Sequence, residues 1–310
     1  MPIDPQVAAF IAAADEAGVQ PVETLSIPDA RLSGMTYLDV QGAPEEVARV
    51  EHRFIPGPTG DLPVRIYYPE AGEGPLPAIV WYHGSGWVIC NIEVNDVPAR
   101  AIANRSGCVV IAVNYQKAPE HRFPVPLDDC FATLQWAAAN AARLGIDSNR
   151  IAIGCDSAGG NLAAAVALRA AAEGGPAVAF QVLVYPVTDH AFDTESYEAN
   201  AEGYLLQRES MRYFWDKYLA SPGDGANPYA SPLRAPSLVG LPPAFVATAE
   251  FDPLLDEGEA YAHRLSEDGV DVQLEHYEGM VHGFFLMNGV IDRTEALYED
   301  IGAALRRALE

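Results

Sequence analysis

Five short runs of the chain carry almost nothing but apolar residues: 78–82 (AIVWY), 108–113 (CVVIAV), 151–153 (IAI), 179–185 (AFQVLVY) and 244–249 (AFVATA). A strand with one wetted face alternates polar and apolar side chains, whereas a continuous run belongs to a strand covered on both faces. Between the runs lie helical stretches at 127–142, 158–172, 254–267 and 293–309. In the third of these, Leu254, Gly258, Tyr261 and Leu265 fall on one helical face. Strand–helix–strand units of this length predict an α/β fold with a mainly parallel sheet and helices on both faces. The length of 310 residues suits one such domain.

Two regions break the rhythm. The first 45 or so residues open with an amphipathic helix (Val7, Phe10, Ile11, Ala14) that Gly18 would stop. Residues 188–236 sit between two core strands and are far longer than an ordinary crossover. They contain an aromatic helix at 211–219, then a Pro- and Gly-rich stretch. We read 1–45 and 188–236 as a helical cap over the carboxy edge of the sheet, with 46–187 and 237–310 forming the catalytic body.

Charge excludes whole classes of partner. Nineteen Lys and Arg against 43 Asp and Glu leave a formal charge of −24. Such a surface repels a nucleic-acid duplex or an anionic membrane, so neither is expected. No apolar run reaches the roughly 18 residues of a membrane helix. Cys90, Cys108, Cys130 and Cys155 are too few and too scattered for a disulfide framework, and no CxxC or CxxH spacing suggests zinc. The first basic residue is Arg31, which leaves no positive region for a signal peptide. A cytoplasmic setting is the expectation.

The chemistry concentrates after the run at 151–153. There the chain reads Gly154-Cys155-Asp156-Ser157-Ala158-Gly159-Gly160-Asn161 and passes directly into a helix. A sharp strand-to-helix turn that exposes a serine is a nucleophile elbow, and its small flanking residues are a steric need. Gly159 meets that need, whereas Cys155 puts a side chain where the turn is expected to be tightest. An N-capping serine in a glycine-rich turn is the competing reading.

A serine hydroxyl needs a base, and the base needs an orienting acid. In this architecture the order is Ser, then Asp or Glu, then His, each after a later strand. Asp252 follows the run at 244–249, and His282 follows a predicted strand at 270–277. Glu250 and Asp256 compete as acids, one still in the strand and the other a helical turn on. His276 lies within a strand and His263 on a helix, while His52, His121 and His190 precede or interrupt the order. Asp156 is read as a support beside the nucleophile. An oxyanion hole needs preset amides, one from Ala158 and the others from the loop His83-Gly84-Ser85-Gly86-Trp87 after the first run.

With these residues in hand, the chain resembles the hormone-sensitive-lipase family of α/β-hydrolase carboxylesterases from about Pro63 onward. Residues 82–87 (YHGSGW) are similar to its HGGG segment, 114–124 (NYQKAPEHRFP) to its YRLAPEHxFP stretch, and 154–161 to GGDSAGGN. Asp252-Pro253-Leu254 and His282-Gly283-Phe284 match its DPL and HGF, and residues 200–219 resemble its cap region. The resemblance implies Ser157 as nucleophile, His282 as base and acid, Asp252 as orienting carboxylate, and the amides of Ser85, Gly86 and Ala158 as oxyanion donors. His83 and Glu120 would support the loops, and Trp87, Tyr204 and Phe214 would lie near the pocket. It further implies hydrolysis of short- to medium-chain acyl esters through an acyl-enzyme, with no cofactor or metal, in a chain that forms a homodimer. Amides, lactones or carbonates would use the same residues, and a ligand-binding receptor on this fold would lack the histidine. Ser85, Cys90 and Cys155 stand where the family pattern has glycine. The Ser85 hydroxyl is expected either to crowd the oxyanion hole or to serve it, Cys155 to act as a small buried hydrophobe, and a Cys90–Cys155 disulfide is conceivable if the loops touch.

Overall fold

The apolar runs form the middle of one sheet. In the computed structural model, which describes every residue except 1, 71 and 73, the chain begins with α1 (Pro5–Glu16), α2 (Ile27–Met35), β1 (Arg49–Pro56) and β2 (Asp61–Tyr68). Next come β3 (Leu76–Tyr82), α3 (Asp96–Ser106), β4 (Val109–Val113), α4 (Val125–Ala139), the single turn α5 (Ala141–Leu144), β5 (Ile146–Asp156) and α6 (Ser157–Glu173). The rest holds β6 (Phe180–Val184), α7 (Glu195–Ala199), α8 (Arg208–Tyr218), β7 (Ala244–Phe251), α9 (Leu255–Glu267), β8 (Val272–Val281) and α10 (Arg293–Leu309).

The strand order is β1-β2-β4-β3-β5-β6-β7-β8. From β4 to β8 every neighbouring pair is parallel; β2 runs antiparallel to both β1 and β4. Parallel strands bring their carboxy ends to one edge, and the loops after β3, β5, β7 and β8 all open there. One face is covered by α4, α6 and α9 through Leu134, Leu162 and Tyr261, the other by α3 and α10 through Ile102 and Leu305. Each such fully buried side chain contributes roughly 1.5–3 kcal/mol of hydrophobic stabilisation. This is the fold expected from the sequence.

Local departures have local causes. The helix expected at 127–142 breaks at Asn140, whose backbone leaves helical geometry while its Nδ2 donates to the Trp136 carbonyl at 2.8 Å. β8 runs four residues past its expected end and delivers the chain straight to His282. The aromatic helix starts one turn early at Arg208, because Gln207 and Ser210 form a capping box there.

Both irregular regions reach the carboxy edge. Arg31 on α2 donates to the carbonyls of Val88 and Ala118, each at 3.1 Å, and pairs with Glu120. The Ser210 hydroxyl on α8 donates to Glu23 at 2.8 Å, so the two segments also hold each other.

Candidate active site

Ser157 opens α6 immediately after β5, with φ at +55°. A side-chain-bearing residue in this left-handed region costs about 1–2 kcal/mol, which the surrounding packing must hold in place. The turn is tightest at two other residues. A Cβ added to Gly159 would lie 1.6 Å from the Tyr82 carbonyl oxygen, and one on Gly154 would lie 2.5 Å from that of Val182. The expectation that position 155 is the tightest point is therefore corrected. Cys155 is buried, and its thiol donates to Asp156 Oδ1 at 2.9 Å, so it acts as a polar partner and not as a plain hydrophobe. All four cysteines are free, and Cys90 and Cys155 are not bridged.

Strand order brings three distant residues together. Asp252 leaves β7, and His282 leaves the neighbouring β8. His282 Nδ1 lies 2.7 Å from Asp252 Oδ2, and its Nε2 lies 2.8 Å from Ser157 Oγ. A carboxylate only accepts, so Nδ1 carries the proton toward Asp252 and Nε2 is left to accept the serine O–H. Asp252 is fully buried and is held by the Leu254 amide, which donates to Oδ1 at 2.9 Å. The Tyr185 ring packs 4.4 Å from the imidazole. The arrangement can deprotonate a serine hydroxyl and hand the proton on.

The loop after β3 lies beside the elbow because β3 and β5 are neighbours. Its Gly84 amide donates to Asp156 Oδ1 at 2.9 Å, and the Ser85 carbonyl accepts the amides of Val88 and Ile89. The Ser85 hydroxyl is engaged within the protein: it binds the Tyr115 hydroxyl at 2.5 Å, which in turn donates to the His83 carbonyl. The His83 ring stacks on Tyr115 at 4.4 Å, and burial with the nearby Lys117 ammonium pushes His83 down to about 3, which keeps it neutral. Ser85 and Gly86 line the cleft beside Ser157, whereas Ala158 lies fully buried in the first turn of α6.

A cavity of about 360 Å³ opens over Ser157 and His282. Tyr204 and Phe214 line it, as does Cys90. Trp87 does not, contrary to expectation: its ring is fully buried and stacks on Tyr218 at 4.1 Å, fastening the loop to α8. Tyr37 and Met211 were missed as lining residues, because their approach depends on how the cap packs.

The competing residues have other partners. Glu250 lies on β7 and accepts the Gly279 amide at 2.7 Å, while Asp256 accepts the Ser196 amide, also at 2.7 Å. His276 faces Thr248 and Glu259, and His190 packs against Phe192 and Trp215. His52, His121 and His263 are exposed. Among the described residues no group of His, Cys, Asp or Glu could hold a metal ion, and no helix is long and apolar enough to cross a membrane.

Known proteins resemble this chain in sequence and fold. Residues 79–286 match a family model described as alpha/beta hydrolase fold. The chain is 40% identical over 266 residues to the carboxylesterase NlhH of Mycobacterium tuberculosis, covering 84% of this chain and 83% of that one. A thermostable esterase from Pseudomonas putida superposes with a TM-score of 0.96 at 36% identity, over 100% of this chain and 98% of its own. An alpha/beta hydrolase from the metagenome of Lake Arreo gives a TM-score of 0.95 at 38% identity, over 98% of both chains. Sheet order, elbow sequence and these matches coincide, and the chain belongs to the alpha/beta-hydrolase superfamily, among its hormone-sensitive-lipase-like members.

Proposed function

We propose that this protein is a serine carboxylesterase that cleaves short- to medium-chain acyl esters through an acyl-enzyme. The carrying observation is the hydrogen-bonded line Ser157–His282–Asp252, at 2.8 and 2.7 Å, whose Ser157 and His282 line an open cavity. Ser157 attacks the ester carbonyl as His282 Nε2 takes its proton. Asp252 holds the imidazole and stabilises its charged form. The oxyanion is received by the amides of Ser85, Gly86 and Ala158, the last strengthened by its place at a helix N-terminus. His282 then delivers the proton to the leaving alcohol, and a water activated by the same nitrogen releases the acid. Every step is proton transfer or acyl transfer between groups of the chain, substrate and water.

The cavity supports the division of the chain into a cap, 1–45 and 188–236, and a catalytic body, 46–187 and 237–310: Phe10 and Tyr37 line it from one cap segment, Met211 and Phe214 from the other. Phe10, Met211 and Phe214 offer an acyl chain apolar contact. The four unpaired cysteines favour a reducing cytoplasmic setting.

The test is a hydrolysis profile over p-nitrophenyl esters of increasing acyl length, with wild type and Ser157→Ala side by side. Turnover on the shorter esters with a loss of at least about 10³-fold in the variant is expected. Equal rates in the two proteins would overturn the reading.

A further inference from the structure

The hydroxyls that line the cavity are nearly all spent within the protein. Ser33 donates to the Ala30 carbonyl at 2.8 Å, Thr36 to that of Ser33 at 2.7 Å, and Ser210 to Glu23 at 2.8 Å. Ser85 is bound to Tyr115, and Ser157 to His282. Tyr37 is different. Its hydroxyl makes no hydrogen bond among the described residues, although it points into the cavity wall beside the histidine loop. A Cβ placed on Gly283 would lie 2.8 Å from Tyr37 Oη, and Gly283 itself has φ at +86°. Glycine is needed there both for backbone conformation and to let the phenol approach. Tyr204 also lines the cavity without a hydroxyl partner, but its ring is set against Phe251 on β7, away from that contact.

A second polar atom is idle in the same cavity. Asp156 is 3% exposed and lines the cleft. Its Oδ1 accepts both the Gly84 amide and the Cys155 thiol, while Oδ2 takes no hydrogen bond from another described residue. Burial pushes both the Tyr37 phenol and the Asp156 carboxyl upward, and the Asp156 charge adds to the effect on Tyr37. A substrate that fills the cavity with alkyl groups alone would strip water from both groups and leave them unpaired, which costs free energy.

We infer that this pair forms a polar subsite for the leaving alcohol, and that the preferred substrates are partial esters of diols or polyols, which carry a free hydroxyl on the alcohol arm. The inference rests on the esterase reading above and adds the class of alcohol. The alcohol arm is the one concerned because its ester oxygen must lie beside His282 Nε2 to be protonated, and Tyr37 sits against the next residue. The substrate hydroxyl accepts from Tyr37 Oη–H and donates to Asp156 Oδ2. A carboxylate-bearing alcohol is disfavoured by Asp156 itself and by the overall charge of −24.

The test uses one acyl group and two alcohols of equal size: hydroxyethyl butyrate and propyl butyrate, compared by kcat/KM in wild type and Tyr37→Phe. The ratio of the two values on one sample is independent of how much of the variant is folded. Wild type is expected to cleave the hydroxyethyl ester at least as well as the propyl ester, although an alkyl-lined site would disfavour it. Tyr37→Phe should lower the hydroxyethyl-to-propyl ratio about fivefold, the size of one neutral hydrogen bond. A ratio unchanged within twofold in the variant, or a wild type that prefers the propyl ester tenfold, would overturn the subsite while leaving the esterase intact. Failure of wild type to cleave either ester would overturn both.

Discussion

At the scale of single residues, conformational strain gathers around the site. Trp87, Cys90, Ser157 and Tyr185 all have positive φ, and they lie on the loop after β3, form the strand-to-helix turn or pack on the His282 ring. Strain of this kind persists only where neighbours over-determine the backbone. Two substitutions one residue apart separate side chain from backbone in the loop proposed to bind the oxyanion. The Ser85 hydroxyl is bound to Tyr115 behind the loop, so Ser85→Ala should change kcat by no more than about threefold while costing about 1 kcal/mol of stability. Gly86 has φ at +52°, and a Cβ there would meet the Phe214 ring at 2.4 Å. Gly86→Ala should therefore lower kcat by about 10²-fold through the displaced amide. Similar effects of the two changes would contradict the assignment of the amides. The meeting of Ser157, His282 and Asp252 was legible in the sequence because the order of strands and motifs is a linear record. Tyr37 was not, since its only signal is a spatial approach to a glycine more than two hundred residues away.

At the scale of elements, legibility followed burial. The parallel strands are wrapped on both faces and announce themselves as apolar runs. β1 is an edge strand whose residues, Phe54 among them, are largely exposed, so its pattern carries no run to find. α2 contains Pro28, Ser33 and Gly34, residues that weaken a helical signal, and it is held instead by the Ser26 cap and the Arg31 contacts. The junction between the cap insertion and α9 contains a buried acid the mechanism does not use. Glu257 accepts the amides of Thr188 and Asp189, at 2.6 and 3.2 Å, yet burial dominates and pushes its carboxyl up to about 8. The Asp189 and Asp252 carboxylates act in the same direction. In the unfolded chain this group loses its proton near 4.5, while the folded chain keeps it. Its contribution to stability is thus fully present below that value and is lost as pH rises toward 8. Glu257→Gln should gain on wild type by a few degrees in thermal midpoint between pH 5 and pH 8.5. A difference independent of pH would show that Glu257 is ionised throughout.

For the whole molecule, charge is the unusual quantity. Most arginines are paired, including Arg105 with Glu45, Glu295 and Glu299, but 43 acidic residues outnumber the cations more than twofold. Exposed pairs contribute about 0–1 kcal/mol each and weaken with salt, whereas repulsion among the excess carboxylates is relieved by salt. With the imbalance this large, relief wins. The thermal midpoint should rise as sodium chloride goes from about 0.01 M to about 0.5 M, and a fall would mean that the ion pairs dominate.

On the proposed function, one serine, brought to an imidazole by strand order, performs the covalent step. Treatment with a fluorophosphonate followed by peptide mass mapping isolates that step. One phosphonyl group per chain on the peptide containing Ser157, with activity lost in proportion and no label in Ser157→Ala, is the predicted result. Label on another residue, or full activity in a chain labelled at Ser157, would overturn this role for Ser157.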